Sequence, residues 1–192
     1  MMTSLGLPEG ARLRFGDEMR VGLRGQVRRV WAPRGERVYQ AVELGYEWAY
    51  LFLTGEVEHG EFEWQWLPNM RKEALHEAMK QLRERGVEGI VWDRAPGHRA
   101  KLVGEAGIRR IFLPPYSPEL NPIERVIEEL RKEVEGRVYG TLEAKQQAVE
   151  GQLAKWKEDP DRIRRLIGWD WIIEQVQERP RAVAGRFIYD IY

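Results

Sequence analysis

The sequence contains no cysteine and no long apolar run, and each absence excludes a class of protein. A chain of 192 residues without cysteine forms neither a disulfide nor a cysteine-based zinc site, and we expect it in the cytoplasm. Its longest purely apolar run, from Trp48 to Leu53, has six residues, whereas a membrane-spanning helix needs roughly 20. The N-terminus has no basic segment followed by an apolar stretch, so the sequence predicts neither a signal peptide nor a membrane partner.

The chain also lacks an excess of charge of either sign. Its 31 basic and 31 acidic residues cancel, whereas a self-sufficient DNA-binding module usually carries a basic excess. An enzyme that meets DNA through one basic groove is compatible with this balance, because basic residues cluster locally. The arginines that we select as candidate DNA contacts are Arg24, Arg28, Arg29, Arg34 and Arg94.

Hydrophobic residues make up 43% of the chain, which is enough for a folded core. Alternating and short continuous apolar runs predict strands, and apolar residues at helical spacing predict helices. The order of these elements fits an α/β protein with an RNase H-like fold, a mixed five-stranded sheet flanked by helices, although several other folds share this order. The predicted strands are 13–15, 38–44, 48–53, 90–92 and 111–113, and the predicted helices are 67–82, about 98–105, 122–134 and 141–158.

Three acidic residues stand where this fold would bring distant segments together. Asp17 has the same parity as Leu13 and Phe15 in the first strand, so Glu18 points to the other face of the sheet. Asp93 ends a buried strand, where the ligand sites of α/β sheets lie, and Glu124 begins a helix. Three carboxylates in one place repel, and at least one would take up a proton unless a cation joined them. Magnesium suits such all-oxygen ligands, and two ions about 4 Å apart would clamp a phosphodiester.

Each acid also has a purely structural interpretation. Asp93 would cap the helix that follows it. Glu124 completes a capping box in which Asn121 is the N-cap and Pro122 the first helical residue, and on spacing alone this interpretation is favoured. Glu124 nevertheless flanks the apolar stripe of its helix and can lean towards the sheet.

A string of twelve residues, Leu113–Glu124, resembles the segment around the last catalytic acid of DDE transposases of the mariner superfamily, specifically their bacterial insertion-sequence branch. The segment Trp92–His98 resembles the middle motif of that family, and Asp17 and Glu18 with 31–35 resemble the first motif. The resemblance covers roughly 13–137. It implies an RNase H-like fold, catalytic and metal-binding roles for Asp17, Asp93 and Glu124, and Mg²⁺ as the cofactor, which Mn²⁺ can replace.

The same resemblance places further residues near the site. His98 would lie near the metals or the phosphate, unless it only makes a local hydrogen bond at the start of a helix. Tyr116 and Ser117 would line the groove or shape its turn, and Asn121 is their neighbour. Three features depart from the family pattern: Arg94 replaces the usual Asn, the spacing from Asp93 to Glu124 is short, and a Trp that often follows the final Glu is missing.

The domain organisation is predicted from the extent of the resemblance. We expect an RNase H-like DDE catalytic domain over 1–140 and a helical extension over 141–192 packed on it. We expect no N-terminal helix-turn-helix domain of the kind that family members use to bind transposon ends. The implied partners are therefore DNA, as transposon ends and target, a second copy of the chain in a synaptic complex, and a helix-turn-helix protein encoded separately or in an upstream frame.

The sequence supports three functions to different degrees. The leading hypothesis is a transposase that cuts DNA and joins the freed 3′-hydroxyl to a target, bound to the bacterial nucleoid when on DNA. A plain RNase H-like nuclease would cut without joining. A decayed, inactive domain would only bind DNA or a partner, which the neutral charge and the motif departures keep open.

Overall fold

The computed structural model describes residues 6–8, 10–25 and 31–177. Within these ranges the chain forms five strands, six helices and one 3-10 turn. In chain order they are β1 (Leu13–Gly22), β2 (Trp48–Gly55), β3 (Phe62–Leu67), α1 (Lys72–Glu84), β4 (Gly89–Trp92), α2 (Lys101–Gly104), β5 (Arg109–Phe112), the 3-10 turn Pro118–Leu120, α3 (Ile123–Val134), α4 (Leu142–Lys157), α5 (Pro160–Ile167) and α6 (Asp170–Gln177).

The five strands form one mixed sheet in the order β3-β2-β1-β4-β5. The first three strands are antiparallel, with Asp17 opposite Leu53, whereas β4 and β5 run parallel to β1. The prediction of a mixed five-stranded sheet flanked by helices is therefore confirmed. β1 lies at the centre, so its residues reach both faces of the sheet.

Each face of the sheet carries its own apolar core. Phe15 and Met19 of β1 pack with the buried side of α3 and with α4 and α5, whereas Phe52, Ile90 and Trp92 pack under α1 and α2. Burying one such side chain stabilises the fold by about 1.5–3 kcal/mol. α3 buries the whole stripe that its sequence predicted, namely Ile123, Val126, Ile127, Leu130 and Val134.

One of the five predicted strands is wrong, and another replaces it. The segment 38–44 is not a strand, because the ladder between β1 and β2 ends where Gly22 pairs with Trp48, and its strand-forming side chains have no sheet to pack on. Leu44, for example, is 73% exposed. The missing strand is β3, in which aromatic residues alternate with Glu63 and Gln65. The helical spacing of the sequence predicts its last residue, Leu67, in the following helix, which begins instead at Lys72.

The helices after residue 140 belong to the same core as the sheet. Leu153 of α4, Ile163 of α5 and Ile172 of α6 are buried with β1 and α3. The division of the chain at residue 140 into a catalytic domain and a helical extension stays a prediction. Among the described residues, every helix is too short or too polar to cross a bilayer.

Gly60 marks a point where two backbones meet. It has a φ of +74°, and a Cβ there would lie 2.3 Å from the carbonyl oxygen of Pro160 and 2.7 Å from the backbone nitrogen of Arg164. Gly107 has a similar φ of +77°, but nothing lies within 4 Å of its missing Cβ. The two glycines therefore separate the cost of backbone strain from the cost of a clash with α5.

We expect Gly107→Ala to lower the free energy of unfolding by about 1 kcal/mol, the cost of placing a side chain in the left-handed region. Gly60→Ala should cost more than about 3 kcal/mol, since it adds a clash with backbone that cannot rotate away. Urea unfolding of both variants measures the difference. Equal losses would contradict the close approach of the β2–β3 turn to α5.

Candidate active site

The three acids predicted from the sequence line one open cleft of about 520 Å³. Asp17 projects from the middle of β1, Asp93 follows the end of β4, and Glu124 lies in the first turn of α3. The carboxyl groups of Asp17 and Glu124 are close enough to share a hydrogen bond. The ligand atoms of Asp17, Asp93 and Glu124 do not all lie within 4.8 Å of one another, so Asp93 is the most distant of the three acids.

Asp17 is the most perturbed acid of the cleft. Burial, together with the neighbouring carboxylates of Glu124 and Glu18, raises the pKa of Asp17 to about 8. The backbone N–H of Glu18 donates a hydrogen bond of 2.8 Å to Asp17 Oδ1 and offsets only part of this effect. Without a cation, Asp17 therefore holds a proton at neutral pH, as expected for crowded carboxylates.

Glu124 faces Asp17 and does not complete a capping box. Asn121 Oδ1 accepts the backbone N–H of Ile123 at 3.2 Å, so Asn121 caps α3 as the sequence predicted. The backbone N–H of Asn121 donates to the carbonyl of Pro118 instead of to Glu124. The favoured structural interpretation of Glu124 is therefore wrong, and its carboxylate is available to the cleft.

Asn121 also fixes the distance between the two elements that carry acids. It is 4% exposed, and its Nδ2 donates a 2.9 Å hydrogen bond to the carbonyl oxygen of Gly16, the residue before Asp17. One buried side chain thus holds the start of α3 against β1. The sequence indicated its capping role but not this second contact.

Replacing Asn121 by alanine should lower the free energy of unfolding by about 1–3 kcal/mol, because it removes a cap and leaves buried backbone groups without partners. Asn121→Asp should keep the cap and lose the bond to Gly16. It would also place a further carboxylate beside Asp17. Thermal melts of both variants measure the effect, and an Asn121→Ala melt equal to that of the wild type would contradict this role.

Asp93 is held at the edge of the cleft. Its Oδ1 accepts the backbone N–H of Ala95 at 3.0 Å and lies 2.5 Å from His98 Nδ1. The hydrogen bond with His98 lowers the pKa of Asp93, despite partial burial, so the carboxylate is charged at neutral pH. Its side chain is 58% exposed, which leaves it open to a ligand in the cleft.

His98 lies behind Asp93 and not in the cleft itself. Its side chain is 2% exposed and stacks on Trp92 with ring centroids 3.7 Å apart. Burial lowers the pKa of His98, but hydrogen bonds with Asp93 and Glu18 outweigh burial and raise the pKa to about 9. The predicted neighbour of the site is thus in contact with Asp93, but buried away from any phosphate in the cleft.

Glu18 also belongs to this site, although the sequence pattern did not identify it as a site residue. Its Oε2 lies 3.0 Å from His98 Nε2, and its side chain is 6% exposed. The alternation along β1 correctly placed Glu18 on the face opposite Asp17. A carboxylate facing the buried side of a central strand was the available signal, because such a group needs a partner.

The remaining predicted neighbours lie around the mouth of the cleft. Tyr116 is fully exposed and has a φ of +57°, which is uncommon for a residue with a side chain. Ser117 lines the cleft, and its hydroxyl donates to the carbonyl of Pro115 at 3.3 Å, so it both lines the groove and shapes the turn. The conformation of this loop brings Tyr116 to the rim.

Two arginines line the cleft beside the acids. Arg94 Nε donates to the carbonyl of Leu113 at 2.9 Å, and Arg99, which the sequence analysis did not select, lies on the same rim. The other candidate DNA contacts do not line it. Arg24 stacks over Tyr46, Arg34 is exposed in the segment between β1 and β2, and Arg28 and Arg29 lie outside the described residues.

The donor set of the cleft fits a divalent cation. The ligands that Asp17, Asp93 and Glu124 offer are all oxygens, as Mg²⁺ prefers. Asp17 takes up a proton because other carboxylates lie close to it, and a bound cation would take the place of that proton. Within the described residues, Glu56, Glu58 and His59 form a tighter group, but Glu56 already accepts hydrogen bonds from Glu58 and His59 there.

Comparison with known proteins gives a family match and a fold match for this chain. A family model described as DDE superfamily endonuclease matches residues 12–144. The chain is similar to Mos1 transposase in a paired-end complex with the left transposon end, with a TM-score of 0.61 and 17% identity over 81% of this chain and 51% of that one. The pre-cleavage Mos1 transpososome gives a TM-score of 0.58 and 14% identity over 88% and 57%. No curated protein sequence matches significantly.

At these identities the similarity establishes the fold, and the predicted RNase H-like fold is confirmed. The chain spans about half the length of the Mos1 chains that it matches. Asp17, Asp93 and Glu124 all lie within the residues that the family model matches.

Proposed function

We propose that this chain, which belongs to the DDE superfamily of endonucleases, is the catalytic part of a DNA transposase. It cuts DNA with divalent cations held by Asp17, Asp93 and Glu124, and joins the freed 3′-hydroxyl to target DNA. The observation that carries the proposal is the pair of crowded carboxylates, Asp17 and Glu124, in an open cleft that Asp93 also lines.

Mg²⁺, or Mn²⁺ in its place, would activate the attacking oxygen and neutralise the charge of the phosphate. The protein's own part is to hold the acids in place. Asn121 keeps Glu124 against Asp17, and the pair of His98 and Ala95 orients Asp93. Mos1 has been captured in paired-end complexes with Mg and with Mn, which supports both ions as candidates here.

The test uses two DNA substrates and one set of variants. Nicking of a supercoiled plasmid by the chain should require Mg²⁺ and stop on addition of EDTA. Asp93→Asn should not nick the plasmid even when Mg²⁺ is present. Asp161→Asn, an exposed residue at the start of α5, is the matched control. Joining of a pre-cut oligonucleotide with a free 3′-hydroxyl to a plasmid separates a transposase from a nuclease. Failure of both reactions in the wild type, including with a helix-turn-helix partner supplied, would favour a decayed domain.

We expect DNA binding by the chain alone to be weak, sensitive to salt and indifferent to sequence. The chain has no net charge, and Arg94 and Arg99 at the cleft give phosphate contacts, which provide affinity without readout of bases. Each phosphate contact contributes roughly −1 to the slope of log K against log salt. A fluorescence titration at several salt concentrations measures it.

Arg94→Ala and Arg99→Ala should each reduce that slope by about 1. Arg165→Ala, an exposed arginine of α5 outside the cleft, should leave it unchanged. Tight binding to one sequence at physiological salt would contradict the expectation. In the proposed assembly, two copies of the chain meet in a synaptic complex, and a helix-turn-helix protein encoded separately or in an upstream frame recognises the transposon ends.

A further inference from the structure

Both ring nitrogens of His98 are engaged by carboxylates from different parts of the chain. Nδ1 lies 2.5 Å from Oδ1 of Asp93, and Nε2 lies 3.0 Å from Oε2 of Glu18. Neither nitrogen is available to a metal or to DNA, since the side chain is 2% exposed. His98 can therefore act on the cleft only through Asp93.

The ring of His98 is fixed in orientation as well as in contacts. It stacks on Trp92 with an interplanar angle of 14°, and Trp92 itself is fully buried against Phe52. The main chain around His98 is also held, because Arg110 donates hydrogen bonds to the carbonyls of His98 and Ala100 at 2.7 and 2.9 Å. The imidazole is a rigid link and not a mobile side chain.

Glu18 is the fixed end of this link. It is 6% exposed on the face of β1 opposite Asp17, and its second oxygen, Oε1, has no hydrogen-bond partner among the described residues. Burying a carboxylate is costly, and His98 is the contact that compensates it. Because Asp17 and Glu18 are adjacent, β1 carries one acid of the cleft, Asp17, and contacts a second acid, Asp93, through Glu18 and His98.

We propose that Glu18 and His98 are positioning residues, which fix the carboxylate of Asp93 at the edge of the cleft in the orientation needed to hold a divalent cation. This inference rests on the proposed function, since it assigns Asp93 to the cation. Partners that orient a metal ligand typically change metal affinity or activity by about 10–100-fold when they are lost. A purely structural buried pair would change stability and leave the affinity of the folded protein unchanged.

The experiment is a titration of the 192-residue chain with Mn²⁺ alone, followed by the electron paramagnetic resonance signal of the free ion. The double variant Glu18→Met/His98→Phe removes the link while keeping apolar shapes and the stacking on Trp92, so it leaves no unpaired buried charge. We expect it to bind Mn²⁺ about 10–100-fold more weakly than the wild type, as Asp93→Asn should. Glu18→Gln keeps an acceptor for His98 and should retain most of the affinity.

A second pair of variants keeps the test independent of folding. Glu18→Met alone leaves no orphaned charge on His98, since Asp93 still contacts it, and should show an intermediate loss. The control is Lys145→Met/Glu135→Leu, which removes a buried ion pair far from Asp93 in sequence and should leave Mn²⁺ affinity unchanged. Circular dichroism establishes that each titrated protein is folded.

The outcomes are distinct. Wild-type affinity in a folded Glu18→Met or in the double variant, with weak binding by Asp93→Asn, would overturn the positioning role and leave the proposed site intact. Equal Mn²⁺ binding by the wild type and Asp93→Asn would overturn both the proposed site and this inference. Loss of affinity in the Glu135 control as well would assign the effect to general loosening of the fold and reject positioning.

Discussion

Asp17→Asn is expected to reduce cleavage by at least about 10³-fold and, at the same time, to stabilise the metal-free protein at neutral pH. The first effect follows from the loss of an oxygen ligand in the cleft. The second follows because burial and the carboxylates of Glu124 and Glu18 raise the pKa of Asp17 to about 8. At neutral pH the wild type must therefore take up a proton when it folds, whereas an amide is neutral in the folded and the unfolded chain.

The pH dependence of this effect has a definite sign. Below about pH 4 the folded and unfolded chains both bind the proton of Asp17, so this group does not affect stability. Between about pH 4 and 8 the folded protein keeps the proton that the unfolded chain releases, so wild-type stability falls as the pH rises. The loss through Asp17 totals on the order of a few kcal/mol and is complete above pH 8.

Thermal melts in EDTA from pH 4 to 8 measure this dependence. Asp17→Asn should lose less stability than the wild type across that range, whereas Asp161→Asn should follow the wild type. Mg²⁺ should reverse the order near pH 8, since a ligand at a hundredfold excess over its Kd stabilises by about 2.7 kcal/mol. Parallel curves for Asp17→Asn and the wild type in EDTA would contradict the crowding of carboxylates in the cleft.

Lys145→Met is expected to lower the free energy of unfolding by about 3–5 kcal/mol, a large part of the stability of a small domain. Lys145 Nζ donates to the carbonyl of Gly22 at 2.7 Å and to both carboxylate oxygens of Glu135 at 3.1 Å. The two side chains are 2% and 5% exposed. One ammonium therefore joins the end of β1, the end of α3 and the start of α4, and its removal leaves Glu135 charged and buried.

Urea unfolding at pH 7 measures this loss, with Lys155→Met as the exposed control on the same helix. Lys145→Met/Glu135→Leu should recover much of the stability, since it removes both charges and fills the space with apolar groups. A single-variant loss below about 1 kcal/mol would show that the pair is solvated in solution. In that case Lys145→Met/Glu135→Leu would not remove a buried ion pair, and it would no longer serve as a control for Mn²⁺ binding.

Local patterns in the sequence predicted most of what positions the site. Alternation placed Asp17 and Glu18 on opposite faces of β1, and the apolar stripe of α3 was right at every position. The short run before Asp93 identified the strand that ends at the cleft. These features depend on spacing within a single element, which the sequence displays directly.

What the sequence did not predict depends on contacts between distant segments. The pair of Glu18 and His98 joins residues 80 positions apart, and the bond from Asn121 to Gly16 spans 105. Whether Glu124 completes a capping box depends on where the backbone N–H of Asn121 points, which the preceding 3-10 turn decides. The strand-forming residues of 38–44 lack a neighbouring strand, and propensity alone does not reveal that.

The adjacency of Asp17 and Glu18 has a consequence for how β1 can vary. Because side chains alternate along a strand, deleting or inserting one residue before Asp17 would exchange the two faces of everything that follows in β1. The carboxylate of Asp17 would then enter the apolar layer beneath α1, and the carboxylate of Glu18 would face Glu124. Natural or engineered changes in length are therefore confined to the connections at either end of β1, and the strand itself can change only by substitution.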